Sequence, residues 1–506
     1  MLNIRLRIAA CAIVYVLAGC NASGAPTVPI VSNTSAHVDA AARCGHRVER
    51  TPKELEDCIQ RASLWRHLSQ FQLIADENPD PQGHGNRDIG TSGYRVSVAY
   101  VARLMRDAGY GVEIQRYHYH LGKVLGVPHL STQQNAYAYE RDWFVARQSA
   151  PGTVTAAAEP PSGSPDGCSR NDFAGFHRGD IALLRRGECG FDAAVSNAAA
   201  AGASAAILYT AEGWAYEARL TEPAPIPVAG VVSSTVRDQI FAQYRSGAKP
   251  IVRLDIRIAK RSGIDYNVIA DSPYGDPNHV VAIDAHLDSI YGAGMLDNAS
   301  GSTSILEVAL NMAKTPTRNR LRYIWFGGEE VGLLGSHYYT THLKQEQLHK
   351  IAFDIDVDVT ATPNFDILVA AVKYTPGRRH FPPNVIPESK IGNRYFAEFF
   401  KTTNIPARLA WFGAEGTDSL SFSLVGVPNS GILTLQNCCK RPWERGIWGG
   451  YLGNYEGKIP SFNGGCVDYP DRWCDNLYNN DPLVLELVSR SVAYVAFELA
   501  NHHFAW

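Results

Sequence analysis

Apolar residues fall into a helical rhythm soon after residue 50. Leu55, Ile59, Leu64, Leu68, Phe71 and Ile74 recur at three- to five-residue intervals, which predicts helix from about Thr51. The stretch Asn86–Gly93 (NRDIGTSG) reads as a turn-rich loop. A second amphipathic helix follows over Val96–Ala108, ended by Gly109 and Gly111, before Val112–Tyr119 alternates as a strand. Near Ala150 the texture changes. Residues 150–167 are rich in Pro, Gly and Ser and mark the start of a separate small unit. That unit contains strand Asp180–Arg185, helix Phe191–Ala201 and strand Ala205–Tyr209, and it closes near Asp255. Beyond it, strands are expected at Val280–Asp284, Leu321–Phe326, Ala352–Val359, Phe365–Ala371, Arg408–Phe412 and Gly431–Leu435. Helices are expected at Ser302–Ala313, Gly332–Thr341, Lys390–Thr402 and Pro482–Ala500. Such alternation predicts an open, largely parallel α/β sheet whose site lies beyond the strand C-termini.

Composition narrows the field without choosing a function. The chain has 506 residues, 45% hydrophobic, with a formal charge of −3. That is ample for a large core and gives no basic footprint for nucleic acid. The N-terminus is more specific. Arg5 and Arg7 precede an apolar run from Ile8 to Leu17, too short to span a ~30 Å hydrocarbon core and therefore expected to be a signal segment. The run ends in Leu17-Ala18-Gly19-Cys20, which resembles a bacterial lipobox. Residues 1–19 are then the lipoprotein signal, Cys20 the lipidated residue and 20–43 a linker. The expected location is the bacterial cell envelope, on its periplasmic or surface side, with Asn21 favouring the outer membrane. Of the ten cysteines, Cys11 would leave with the signal, and eight besides Cys20 remain. Cys44–Cys58, Cys168–Cys189 and Cys466–Cys474 are the closest pairs, with Cys438 and Cys439 ambiguous. No C-x₂-C pair supports zinc–thiolate ligation instead.

The candidate chemistry sits where three buried strands end. Val280–Asp284 runs into His286 and Asp288, followed by Asp297; Ile324–Gly328 leads to Glu329-Glu330; and Asp354, Asp356 and Asp358 alternate along one strand face. Each alone has an ordinary reading: a surface pair, a solvated helix start, a wet strand face. Together they bury several carboxylates with no Lys or Arg in the same motifs, and a divalent metal is the economical counter-charge. A mixed His and carboxylate set suits zinc and hydrolysis, with Asp288 placed to orient His286. His118, His120, His502 and His503 read as ordinary strand or surface residues. The aromatic, glycine-rich stretch from Arg441 to Phe462 could line an apolar pocket or form a disulfide-tied surface loop.

At these motifs the chain resembles metallopeptidase family 28, the di-zinc aminopeptidases related to glutamate carboxypeptidase II and glutaminyl cyclase. The likeness is carried by NRDIGTSGYRVSVAYVARLMRDAGYGV, NVIADSPYGDPNHVVAIDAHLDS, LDNASGS, FGGEEVGLLGS and DVTATPN; DFAGFHRGDIALLRRGECGF resembles a protease-associated domain. The resemblance implies a three-layer α/β/α fold with a mixed central sheet over 44–149 and 256–506, interrupted by a small α/β protease-associated insert at 150–255. It implies an exported aminopeptidase acting on peptides with two zinc ions, or one. His286 and Glu330 would be terminal ligands, Asp297 the bridging carboxylate and Asp358 the ligand of the third cluster. Glu329 would be the general base on the metal-bound water, and Asp288 is grouped with it as catalytic. Thr417-Asp418-Ser419 stands where the family has Ser-Asp-His.

One position departs from the family pattern. The C-terminal His of Cys-Tyr-His-x-x-Cys-Asp has no counterpart: aligning Cys474-Asp475 puts Asp471 there, with Asp468 as second choice. An Asp ligand would make that metal a weaker Lewis acid. Two alternatives stay open: a single-zinc, glutaminyl-cyclase-like acyltransferase, or a non-catalytic binding protein on the same fold.

Overall fold

The computed structural model describes residues 44, 48–187, 189–211, 215–218, 220, 223–372, 381–411, 417–437, 439–456, 465–467 and 473–504. The signal segment, Cys20 and the linker lie outside these residues, as do Asp468 and Asp471.

A mixed eight-stranded sheet forms the centre. Across it run Gly111–Val124, Ile258–Asp271, Asn319–Phe326, Asp276–His286, Ile351–Val357, Asn429–Leu433, Leu368–Ala371 and Arg408–Trp411. The four consecutive strands starting Asn319, Asp276, Ile351 and Asn429 are parallel neighbours. Antiparallel pairing enters on both flanks, through Gly111–Val124 with Ile258–Asp271 and through Leu368–Ala371 with Asn429–Leu433. Parallel strands need helical crossovers that cover both faces, and the middle strands are accordingly apolar runs rather than alternating ones. Ile351–Val357 is buried at every position. Helices Arg61–Asp76, Ser92–Asp107, Ser300–Met312 and Pro482–Asn501 pack one large core with the sheet, built around Phe71, Met105, Leu306, Trp325 and Val492.

Local chemistry sets the element ends. Thr91 accepts a hydrogen bond from the Tyr94 backbone N–H and starts helix Ser92–Asp107, four residues earlier than hydrophobic spacing alone predicts. Gly327 lets the strand end approach Tyr94 closely; a Cβ there would meet the Tyr94 hydroxyl at 2.2 Å. The long strand Ile258–Asp271 is absent from the sequence expectations. Its IAKRSG start is too polar to signal a strand, and its order comes from pairing along the whole of Gly111–Val124.

A second, seven-stranded sheet holds Ala136–Tyr137, His129–Thr132, Ile251–Ile256, Gly152–Glu159, Ile181–Arg185, Ala205–Tyr209 and Val228–Val232. Two of these strands precede residue 150. Helices Gly190–Ala201 and Ser234–Arg245 accompany it, with hydrophobic clusters of its own around Trp143, Ile207, Leu254, Phe191 and Leu208. Disulfides Cys44–Cys58, Cys168–Cys189 and Cys466–Cys474 are formed, and Cys439 is also disulfide-bonded. No helix among the described residues is long and apolar enough to cross a membrane.

Candidate metal centre

His286 ends the central strand Asp276–His286 and is buried. Its Nε2 lies 2.8 Å from Asp297 Oδ1, 3.4 Å from Asp358 Oδ1 and 4.0 Å from Glu329 Oε2. Ligand atoms of His286, Asp297 and Asp358 fall within 4.8 Å of one another, and so do those of His286, Glu329 and Glu330. Four carboxylates singled out in the sequence therefore converge on the His286 imidazole, the five residues coming from three strand ends and the head of one helix. Burial by itself would favour the neutral ring, but the charge of Asp358 and bonding to Asp288, Asp297 and Asp358 raise the imidazole well above its ordinary value.

The backbone that carries Asp297 is held from behind. Asp297 lies in Met295–Ala299, with non-helical backbone just before helix Ser300–Met312. Asn298 anchors this segment to the Asp358 strand: its Nδ2 donates to Val357 O at 2.9 Å, while its Oδ1 accepts from Val359 N at 3.2 Å and Gly301 N at 2.8 Å. Gly301 is a position of close approach, where a Cβ would sit 2.2 Å from Val357 O.

Asp288 lies 3.6 Å from His286 Nδ1 through its carboxylate, whereas its backbone carbonyl is closer at 3.2 Å. The carboxylate also accepts the backbone N–H of Glu329 at 3.2 Å and of Glu330 at 3.4 Å. It clamps the Glu-Glu turn. Asp356 accepts from Ser419 N at 2.9 Å and Thr417 Oγ1 at 3.4 Å; burial first, then Asp358, pushes it up to about 6.

Burial and mutual repulsion also drive Asp284, Asp354 and Asp418 well above the ordinary carboxylate range. Arg87, fully buried, donates from all three guanidinium nitrogens to loop carbonyls. Nε donates to Ala293 O at 2.7 Å, Nη1 to Leu287 O at 2.6 Å and Nη2 to Gly294 O at 2.7 Å. Neither Arg87 nor Asp475, which accepts the amides of Leu296 and Asp297, was singled out as functional in the sequence. Arg87 stands in the NRDIGTSG motif and Asp475 in Cys474-Asp475, so both were visible only as family text. Two tryptophans of the aromatic stretch sit at the far edge of the sheet. Trp443 is half exposed beneath Arg408 at the sheet edge, and the Trp448 indole donates to Pro406 O.

The donor set fits a divalent metal. One imidazole and four carboxylates converge within a few ångströms of one another. Zinc takes this mixture of nitrogen and oxygen donors, and its charge would relieve the repulsion among the acids.

Asp265 gives a pH-dependent reporter beside the centre. Its Oδ2 accepts Gly90 N at 2.7 Å; burial, with the charge of Asp288 adding to it, raises the carboxyl to about 7. A raised folded pKa means a contribution fully present below the unfolded value near 4 and lost as pH rises through about 7. That loss is about 1.4 kcal/mol per pKa unit. Asp265→Asn cannot ionise, so it should gain stability relative to wild type between about pH 5 and pH 8. Thermal unfolding at both pH values checks this, and an unchanged difference contradicts it.

The profile of peptidase family M28 matches residues 267–496, and that of the PA domain matches 151–238. An aminopeptidase of Pseudomonas aeruginosa is 31% identical over 468 residues, 88% of this chain and 82% of that protein. The probable lipoprotein aminopeptidase LpqL of Mycobacterium tuberculosis is 29% identical over 78% of each chain. Among solved structures, the aminopeptidase from Aneurinibacillus sp. strain AM-1 superimposes with a TM-score of 0.67 at 20% identity. It covers 90% of this chain and 97% of that one, a likeness of fold. With the His286 cluster at the ends of the parallel strands and the second sheet inserted along the chain between two strands of the first, the chain belongs to peptidase family M28 and carries an inserted PA domain.

Proposed function

We propose that this chain is an exported zinc aminopeptidase that hydrolyses the N-terminal peptide bond of peptides. The observation that carries the reading is the convergence of Asp297, Asp358, Glu329 and Glu330 on His286. His286, Asp297, Glu330 and Asp358 would hold zinc, with Asp471, or Asp468 as second choice, standing at the position of the family's remaining ligand. Bound zinc supplies Lewis acidity, polarising the scissile carbonyl and making water easier to deprotonate. Glu329 is the group left to move protons. Its carboxylate takes the proton of the attacking water and passes it to the departing amine. Asp288 fixes the Glu329-Glu330 turn through two amides, so that adjacent carboxylates keep separate roles. The buried acids favour a substrate that brings a positive charge, as a free α-amine does.

For the domains we propose that the peptidase unit spans 44–149 and 256–506 around an insert at 150–255, with the short strands at 129–137 extending the insert's sheet. The three disulfides support export, and a lipid on Cys20 would anchor the chain by residues 20–43. Aminoacyl fluorogenic substrates, offered to chelator-stripped and zinc-restored protein, test the activity. Release that returns with zinc is expected; no release from the zinc-loaded chain would overturn it.

A further inference from the structure

Asp475, just past the position where the family's histidine is missing, reaches the centre by a different route. Asp475 is buried and accepts two adjacent amides: Leu296 N to Oδ1 at 2.8 Å and Asp297 N to Oδ2 at 3.0 Å. Both amides lie ahead of helix Ser300–Met312, where the backbone turns out of helical geometry at Asp297 and Asn298. Asp475 is itself braced. Asn479 Nδ2 lies 3.4 Å from its Oδ1 and donates to Glu456 Oε2 at 2.9 Å. Glu456 accepts Cys466 N at 2.7 Å and Asn437 N at 3.1 Å, and the Cys466–Cys474 disulfide closes the segment immediately before Asp475. A continuous buried network thus runs from Glu456 through Asn479 and Asp475 to the backbone of Asp297.

We infer that Asp475 is a positioning residue for the metal centre, fixing Asp297 by holding its amide and that of Leu296. The inference rests on the zinc reading proposed above. A carboxylate shared between ions must be placed closely, and Asp297 is held from two sides. Asn298 ties its C-terminal side to the Asp358 strand, and Asp475 ties its N-terminal side to the disulfide-closed segment. A carboxylate can accept both amides at once. An Asn in its place offers one oxygen and turns an N–H toward the other amide. Loss of a hydrogen-bonded partner behind a metal ligand typically costs 10–100-fold in metal affinity.

The test measures zinc affinity by chelator competition, and the visible spectrum of the cobalt-substituted protein, on the full chain. Asp475→Asn should weaken zinc binding by about 10–100-fold and shift the cobalt bands. Asn393→Ala removes bonds to Ala370 O and Ser430 Oγ elsewhere in the sheet. It should lower the melting temperature while leaving affinity and spectrum unchanged. Should Asp475→Asn not fold, Asn479→Ala releases Asp475 without altering its carboxylate and should weaken zinc binding by less, in the same direction. Wild-type affinity and spectrum in the folded variant overturn the positioning role alone. A wild-type chain that binds no zinc overturns the metal-centre reading, and the positioning role with it.

Discussion

Glu329→Gln should lower kcat by about 10²–10⁴-fold while leaving zinc content and fold unchanged. Glu329 is buried, its Oε2 lies 4.0 Å from His286 Nε2, and its backbone N–H is held by Asp288. Glutamine keeps the size of the side chain and its ability to accept a hydrogen bond, so the cavity and the Glu330 backbone stay in place. What it lacks is a basic oxygen. Steady-state kinetics with metal analysis on the same preparation separate the outcomes. Near wild-type turnover would remove Glu329 from the chemistry, and loss of zinc would make it a ligand rather than a base.

Arg87→Met should be the most damaging single change to stability outside the ligand set, at about 3–5 kcal/mol. Methionine fills much of the volume of the arginine stem. It supplies none of the donors that now satisfy Leu287 O, Ala293 O and Gly294 O, all buried behind the His286 loop. Each buried carbonyl left without a partner costs on the order of 1–3 kcal/mol, partly recovered by relaxation and water. The guanidinium also lies over the Phe71 ring, 5.3 Å from its centroid, and faces Asp288 and Asp475. Thermal unfolding of the zinc-free protein reads the loss directly. A melting temperature within a degree or two of wild type would contradict it.

Much of the site was legible in the sequence because its chemistry sits at strand ends, and strand ends are marked twice: by an apolar run and by the Gly or small residues that follow. Val280–Asp284 followed by His286, and Ile324–Phe326 followed by Gly327-Gly328-Glu329-Glu330, announce both the element and the side chain it presents. Sheet order was less legible. Ile258–Asp271 carries too many polar residues for a periodic signal, yet it supplies the antiparallel link between Gly111–Val124 and the parallel centre. Hydrogen-bond partners beyond the ligands were hidden for a different reason. Arg87 meets the carbonyls about 200 residues away, and Asp475 meets Asp297 at a separation of 178, distances at which no local pattern speaks. Asp288 shows the same limit on a short scale. Its spacing from His286 points to the ring, where its Oδ1 lies 3.6 Å from Nδ1, but nothing local announces that the same carboxylate also accepts the amides of Glu329 and Glu330, 41 and 42 residues on.

The most direct measurement follows the products by mass spectrometry when the zinc-loaded chain meets one peptide in two forms, with a free and with an acetylated N-terminus. The free peptide should give a ladder of single-residue losses from its N-terminus, abolished by chelation, while the acetylated peptide stays unchanged. Cleavage at internal bonds, equal processing of both forms, or an intact free peptide with zinc bound would contradict it.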